Sequence, residues 1–499
     1  MPTVFFTLLF TALSALCAAY VVKAIQFYRA RQAERRKLRT LETGRLPGGE
    51  QPMTVDDTGG ALLEFELLVR VTTTYPWWVV FQVTYMLSMI MMAVSSIHVV
   101  VRAMDDLTIL MFRNTYGLQV YPTSKFGFVL SCPAHDACKG VEAFYSVDTS
   151  GGFVITGGYI LTALLAIPFS VIEIVDWAQG ILYTISLACI LEMCIAFALI
   201  AREGSAASDS FHSGAAAAVP AWNYNLGLVI EVSFLTWCLS FSIPMWLEQT
   251  AEGVSINAAL WWSCLSRGLL FIAFGLIASG AFPDLTTMNV LDVLRTKSQV
   301  TPVTQVCGFL FAATSVFPNI IAHSMAVRRN LEAHIGGVRA NLLGVGLPWA
   351  VAWLFYFGAE YNQLVNTCSI YLNGVIQFLL PCLLFLALAT AAGAHVCRVA
   401  GIRASMDTWR DITRWVALGI VILIVLAYTL NAFVFFGLYG PKHHESAAAA
   451  KSAASDYGLA AGPALAPAPS KAPGGVRRLR SLMAPWERDG AFQPAVWAW

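Results

Sequence analysis

Ten apolar stretches of near-membrane length alternate with polar loops along this chain. They fall at 3–24, 76–101, 153–175, 178–200, 224–247, 257–280, 303–326, 341–358, 364–390 and 412–438. A hydrocarbon layer about 30 Å thick takes about 20 helical residues to cross. Backbone groups in lipid must be satisfied inside the segment itself, which selects helices for runs of this kind. The pattern predicts an all-α integral membrane protein of about ten transmembrane helices, with ends fixed to about four residues. A short turn near Asp176 is all that separates the third and fourth spans.

Charge then orients the spans. One set of alternate loops holds Lys23, Arg29, Arg31, Arg35, Arg36, Lys37, Arg39, Arg45 and Arg70, then Arg328, Arg329 and Arg339, then Arg398, Arg403, Arg410 and Arg414. The other set holds Arg102, Arg113, Lys125, Lys139, Arg202, Arg295 and Lys297, spread over longer loops. The excess of basic residues places the first set in the cytoplasm, and ten spans then put both termini outside or in a lumen. The first span competes with a signal peptide. Met1-Pro-Thr-Val lacks the basic start of one, although Ala15-Leu-Cys-Ala would suit cleavage. The basic run Arg29–Arg45 immediately after the span favours an anchor.

Composition agrees. The chain is 57% hydrophobic and 12% charged, with a mean hydropathy of +0.64, where soluble domains carry about 25% charged residues. A net charge of +1 selects no partner, and no basic stripe suits nucleic acid. The expected partner is the lipid bilayer. Plasma membrane and vacuole-type endomembrane are not distinguished.

Residues 1–440 form one polytopic domain. Within it, 25–56 is a basic cytoplasmic segment and 105–151 an outer loop. The loop contains Cys132-Pro-Ala-His-Asp-Ala-Cys138. A local disulfide suits two cysteines on an oxidising side; a zinc site would need more ligands than His135 and Asp136 add, and two free thiols are the plain alternative. No metal is expected. Residues 441–499, rich in Ala, Pro and Ser, read as a disordered tail. No P-loop, dinucleotide fingerprint, His-Glu-x-x-His or Gly-x-Ser-x-Gly is present. The expectation is a transporter without a cofactor rather than an enzyme.

Ionisable groups inside spans are costly and so mark candidate sites. Glu192 lies deep in the fourth span, Glu231 in the fifth and Arg267 near the middle of the sixth. Glu192 and Arg267 reach similar depth in two spans running the same way, at about 1.5 Å per residue. They are expected to pair, either as a proton-coupling group with its partner or as a lock between two helices. Pro244 marks a helix break, because its ring clashes with the carbonyl of Ser240 and it donates no hydrogen bond. Ser240 and Ser242 beside it are placed to satisfy freed backbone or to touch a ligand; a simple kink is the alternative. Pro168, Pro318, Pro348 and Pro381 are kinks of this general type.

Several stretches resemble the amino acid/auxin permease family in its fungal and protist branches. They are Ala103-Met-Asp-Asp-Leu with Tyr116-Gly-Leu-Gln-Val, and Val154-Ile-Thr-Gly-Gly-Tyr with Ile167-Pro. Ser240 to Trp246, Val303-Thr-Gln-Val with Phe309, Leu347-Pro-Trp, and Leu372-Asn-Gly-Val-Ile-Gln-Phe with Leu380-Pro follow in the family's order. The resemblance covers about residues 3–438. It implies a leucine-transporter-like bundle of two inverted five-helix repeats and secondary transport of amino acids, often driven by protons. Sodium coupling stays open. The family's sixth span corresponds to Tyr224–Leu247, and its unwound segment would fall near Trp237 to Ser242. Trp237, Ser240, Phe241 and Ser242 are thereby implied as substrate contacts, with Tyr85 and Ser88 on the second span behind them. The present first span looks like the family's second, so the bundle is expected to lack its first helix. The chain then reads as a proton-coupled amino-acid transporter with a truncated start. The alternative is a non-transporting subunit, sensor or degenerate paralogue on the same scaffold.

Overall fold

The computed structural model describes residues 2–43, 65–112, 115–121, 127–131, 153–172, 176–208, 230, 233–234, 236–237, 239–250, 253–282, 290, 293–294, 299–354, 369–391 and 406–435. The chain divides into two compact units. The larger takes in Met1–Ala427, and of the second, Tyr428–Pro494, only the end of the last helix is described.

The described helices are α1 (Pro2–Thr43), α2 (Phe65–Thr72), α3 (Tyr75–Phe112), α4 (Gly157–Ile172) and α5 (Asp176–Ser208), then α6 (Ile243–Gln249), α7 (Ile256–Ala281) and α8 (Pro302–Ile335). They continue as α9 (Gly337–Asn341), α10 (Leu347–Leu354), α11 (Leu380–Ala391) and α12 (Met406–Phe435). Two stretches are wound as π-helix, Leu342–Gly346 between α9 and α10 and Ser369–Leu379 leading into α11. Among the described residues, seven helices are long and apolar enough to cross a membrane: Val4–Arg29, Tyr75–Phe112, Gln179–Glu203, Ile256–Ala281, Pro302–Glu332, Tyr371–Thr390 and Thr408–Leu430. The remaining expected spans take other forms. α4 is a shorter apolar helix. Within 224–247 the described residues leave the helix at Trp237 and Leu239, and the described part of 341–358, up to Leu354, is short helices joined through a π-turn.

Exposed apolar side chains show what these helices face. α5 presents Leu187, Leu191, Ile195 and Leu199 at four-residue spacing, each 49–64% exposed. A stripe of that kind has no place in water and is ordinary against lipid tails. The chain is a multi-pass membrane protein.

α3 and α8 form the central pair, and α5 packs on α8 and α7, while α1 packs on α11 and α7. One buried cluster joins Ile97 and Val101 of α3 to Ala166 of α4, Ala313 and Ile320 of α8 and Trp349 of α10. A second joins Met193 and Phe197 of α5 to Phe274 of α7, Phe309 of α8 and Val293 and Leu294 of the preceding segment. Hydroxyls stitch α5 to α8, with Ser186 and Thr314 oxygens 2.7 Å apart.

The segment read as an outer loop holds more than loop. α3 runs on to Phe112, and β1 (Thr115–Tyr121) and β2 (Gly127–Ser131) follow; they make an antiparallel sheet of order β2-β1-β3 with β3 (Phe153–Thr156), which takes the first residues of the stretch expected as the third span, so that α4 starts only at Gly157. Short strands of mixed polarity carry too weak an alternation to be seen beside the spans. Cys132 and Cys138 lie outside the described residues.

Helix ends are closed in three different ways. Thr301 caps α8 by accepting the Thr304 N–H at 3.3 Å, with Pro302 in the first turn. Arg328 of α8 donates to the last carbonyls of α4, Ser170 at 3.2 Å and Val171 at 2.9 Å. Gly336 ends α8 at φ 81°, a conformation that favours glycine.

The π-turn crosses α8 at closest approach: a Cβ on Gly344 would lie 2.6 Å from the Arg328 backbone. Backbone cannot step aside as a side chain can. Gly344→Ala is therefore expected to destabilise the detergent-solubilised protein by about 1–3 kcal/mol, the range for overpacking. Gly275→Ala, with nothing within 4 Å of the new methyl and a position inside α7, should leave the unfolding midpoint unchanged or raise it, since alanine favours helix over glycine. Equal midpoints for the two variants would contradict this packing.

Candidate functional site

The helical course that begins before Phe234 stops at Trp237. Trp237 closes a last turn, its N–H donating to the Ser233 carbonyl at 3.1 Å. Leu239 follows outside any helix, then a 3₁₀ turn Ser240–Ser242, then α6. Pro244 sits at the second position of α6. An amide there has no intrahelical partner to lose, so the proline starts a helix and the interruption lies ahead of it.

An interruption frees carbonyl oxygens, and buried carbonyls need donors. The neighbours supply them. Ser14 of α1 donates to the Trp237 carbonyl at 2.9 Å, and Arg267 of α7 donates through Nη2 to the Thr236 carbonyl at 3.0 Å. Ser242 turns back onto the Leu239 carbonyl at 2.9 Å.

The second irregular helix meets the break here. Ser240 Oγ donates to the Gln377 carbonyl at 2.6 Å, within the π-helical Ser369–Leu379. Asn373 of the same segment accepts from Ser88 Oγ of α3 at 2.8 Å. The next carbonyl, that of Phe378, accepts from two thiols, Cys17 at 3.4 Å and Cys382 at 3.5 Å. Three rings close the apolar side: Phe10, Phe234 and Phe378 meet edge-to-face with centroids 5.0–5.7 Å apart. Ser14, Ser88, Trp237, Ser240, Asn373 and Gln377 are all at most 2% exposed.

The structure thus gathers Trp237, Ser240 and Ser88 at one junction. Tyr85 is buried one turn before Ser88 and packs on Phe81 at 5.6 Å. Ser242 serves its own turn. Phe241 lies in the 3₁₀ turn, and its side chain is outside the described residues, as is Glu231 altogether. Ser14, Cys17, Asn373 and Gln377 are members that spacing did not single out. The available signal was two amide side chains, Asn373 and Gln377, four residues apart in an apolar span.

The expected pairing of Glu192 with Arg267 is corrected. Glu192 Oε1 accepts from Thr304 Oγ1 of α8 at 2.9 Å, and its Oε2 is buried without a hydrogen-bond partner. No ion pair joins it to Arg267 among the described residues. Depth follows from residue count, but direction around a helix follows from 100° per residue. α5 packs on both α7 and α8, and Glu192 points to α8. Arg267 instead lies over Trp237 and Phe271, 5.3 and 5.2 Å from the ring centroids. Thr304 has one hydroxyl proton and gives it to Glu192. In the 3.0 Å contact between the Thr301 and Thr304 hydroxyls, Thr301 is therefore the donor. Among the described residues no three His, Cys, Asp or Glu side chains are grouped to hold a metal.

No family model, no curated protein and no solved structure matches this chain.

The Ser88–Asn373 bond ties α3 to the π-helical segment, and a double-mutant cycle isolates it. Ser88→Ala and Asn373→Ala are expected to couple by about 0.6 kcal/mol and no more than about 1.7 kcal/mol, as for other interhelical bonds in lipid. Unfolding midpoints of the four proteins measure it. Strict additivity would mean that the bond contributes nothing.

Proposed function

We propose that this chain is a secondary active transporter of amino acids, driven by protons, on the scaffold that the amino acid/auxin permease resemblance implies. One observation carries the reading. A broken helix and a π-helical helix meet at a single buried point, and side chains from α1, α3 and α7 converge on them. Irregular backbone at membrane depth is tolerated only where protein buries it or a cavity takes it in, and in transporters such segments hold substrate and coupling ions. The hydroxyls of Ser14, Ser88 and Ser240 and the carbonyls of the break are the polar groups that a zwitterion would engage. π-helical turns favour the same assignment, since they collect at functional sites.

Glu192 is the proton-exchanging group in this reading. Its carboxylate ends a hydroxyl chain through Thr304 and Thr301 at the start of α8. Proton transfer along such a chain needs a donor and acceptor in hydrogen-bond reach at every step, which these distances provide.

A second reading, a non-transporting subunit or sensor, draws on a different fact. Ser14, Ser88 and Ser240 are each engaged within the protein. A transporter must exchange these bonds for bonds to substrate during its cycle, whereas a subunit keeps them.

Purified full-length protein in liposomes with an inward proton gradient is expected to accumulate radiolabelled amino acids in a saturable manner, and an uncoupler should abolish it. Failure to take up any amino acid would favour the second reading. Glu192→Gln, which keeps an acceptor for Thr304, is expected to stay folded and lose the response of uptake to the gradient. An unaltered response would remove Glu192 from the proton path.

A further inference from the structure

We infer that Arg70 and the aromatic residues at the start of α3 hold the phosphate of an anionic phospholipid, in the leaflet on the basic side of the bundle.

α2 buries Leu68 and Val69 and turns Arg70 outward. A short break at Thr73 and Thr74 follows before α3 begins. Across it the Arg70 guanidinium lies over the ring of Trp78, 5.7 Å from the centroid. Trp78 also meets Tyr75, with centroids 5.6 Å apart, and His334 at the end of α8, 6.3 Å away. Among the described residues that stack is all that holds Arg70, which enters no hydrogen bond and no ion pair. Other arginines on this side are engaged within the protein. Arg328 donates to the end of α4 and approaches Glu332 at 3.9 Å. Arg414 of α12 precedes the exposed Trp415, again an arginine beside a tryptophan, yet it donates to Asp411 at 3.1 Å. The Arg70 guanidinium keeps its charge and presents a planar fork that fits two phosphate oxygens. Stacking on an indole restricts the long side chain, so less freedom is lost when a ligand binds.

Depth fits a headgroup. Trp78 is the fourth residue of α3, about 4.5 Å along the axis from its start. The headgroup layer on each side of a bilayer is about 5–8 Å thick, and tryptophan and tyrosine collect there. From this level α3 turns an apolar stripe outward: Trp77, Val80, Val83 and Leu87, at three- and four-residue spacing, are 47–68% exposed. The stripe is about 15 Å long, the depth of one hydrocarbon leaflet. Beyond it Ser88, Met89, Met92 and Ala93 are buried. A phosphate at Arg70 and an acyl chain along this stripe belong to one lipid molecule. Its net charge follows from α1, which carries the basic stretch 29–39 out of the membrane on this side and packs against α2. Such a cluster favours an acidic headgroup over a zwitterionic one.

The test uses full-length protein reconstituted in vesicles of phosphatidylcholine with a minor fraction of phosphatidylglycerol. The protein is extracted in mild detergent, and native mass spectrometry counts the lipids it retains. The wild type is expected to retain phosphatidylglycerol about fivefold above its share of the mixture, the effect of one basic side chain at a membrane surface. Arg70→Gln should bring retention down to that share, and Arg70→Lys, which keeps the charge but loses the fork, should fall between. Arg414→Gln, which alters an arginine already paired, should behave as the wild type. Size-exclusion profiles identify a variant that fails to fold; should Arg70→Gln do so, the value for Arg70→Lys decides. A folded Arg70 variant with wild-type retention overturns the inference. Equal losses in Arg70→Gln and Arg414→Gln overturn it too, by reducing the effect to net charge. Glycerophosphoglycerol, the same headgroup without chains, should fail to displace the lipid; displacement by it would assign the site to a soluble phosphate ester and overturn the lipid assignment.

Discussion

A freed carbonyl oxygen inside a membrane has no water to turn to, and much of this bundle is arranged around that constraint. At several of the described interruptions and helix ends, a side chain from another helix arrives as donor. Ser14 and Arg267 serve the break at Thr236 and Trp237, and Ser240 serves Gln377. Tyr159 reaches the Trp349 carbonyl at 2.6 Å, and His98 Nε2 reaches Ala352 at 2.7 Å, both on α10 beyond its π-turn. A carbonyl can only accept, so that histidine carries its proton on Nε2 in this contact. Arg328 closes the end of α4, and Gln305 takes the Leu294 carbonyl at 2.7 Å. These bonds determine which helix sits beside which, because each fixes depth and direction together. Packing of the buried clusters acts beside them, since lipid tails are as apolar as leucine and close fit, not apolarity, holds helices together.

The same constraint explains which features are legible in the chain. Runs of apolar residues report length and mean environment, and they locate α1, α3, α5, α7, α8, α11 and α12. Pro244 with the serines before it points to a discontinuity, and Trp237, Ser240 and Ser88 stand around one. Whether those residues touch a substrate is a matter of function and not of fold. The π-helical segments are not legible, because one extra residue per turn leaves no compositional trace. Asn373 is polar in the sequence, but only the observed winding brings it to Ser88.

Glu192 shows how depth misleads without azimuth. Two ionisable residues at equal depth suggest an ion pair, yet a helix offers several neighbours at every level. α5 turns this carboxylate to Thr304 and leaves Arg267 to the broken helix. Distinguishing the two needs the order of helices around the bundle, which loops of unknown path do not convey. The sheet between α3 and α4 was hidden for a different reason. Its strands are short, and their pairing across the chain reads from no local pattern.

α1 has one more property that follows from its length. It is a single helix from Pro2 to Thr43, although its apolar part ends at Arg29. Ser14, which holds the broken helix, therefore lies on the same rigid rod as the basic stretch around Arg35–Arg39. The arm from Ser14 to Thr43 is about 40 Å at a rise of about 1.5 Å per residue. One continuous helix thus ties the hydrogen bond at the buried break to the basic end of α1, and the packing of Tyr20 and Phe27 on Phe385 lies between the two.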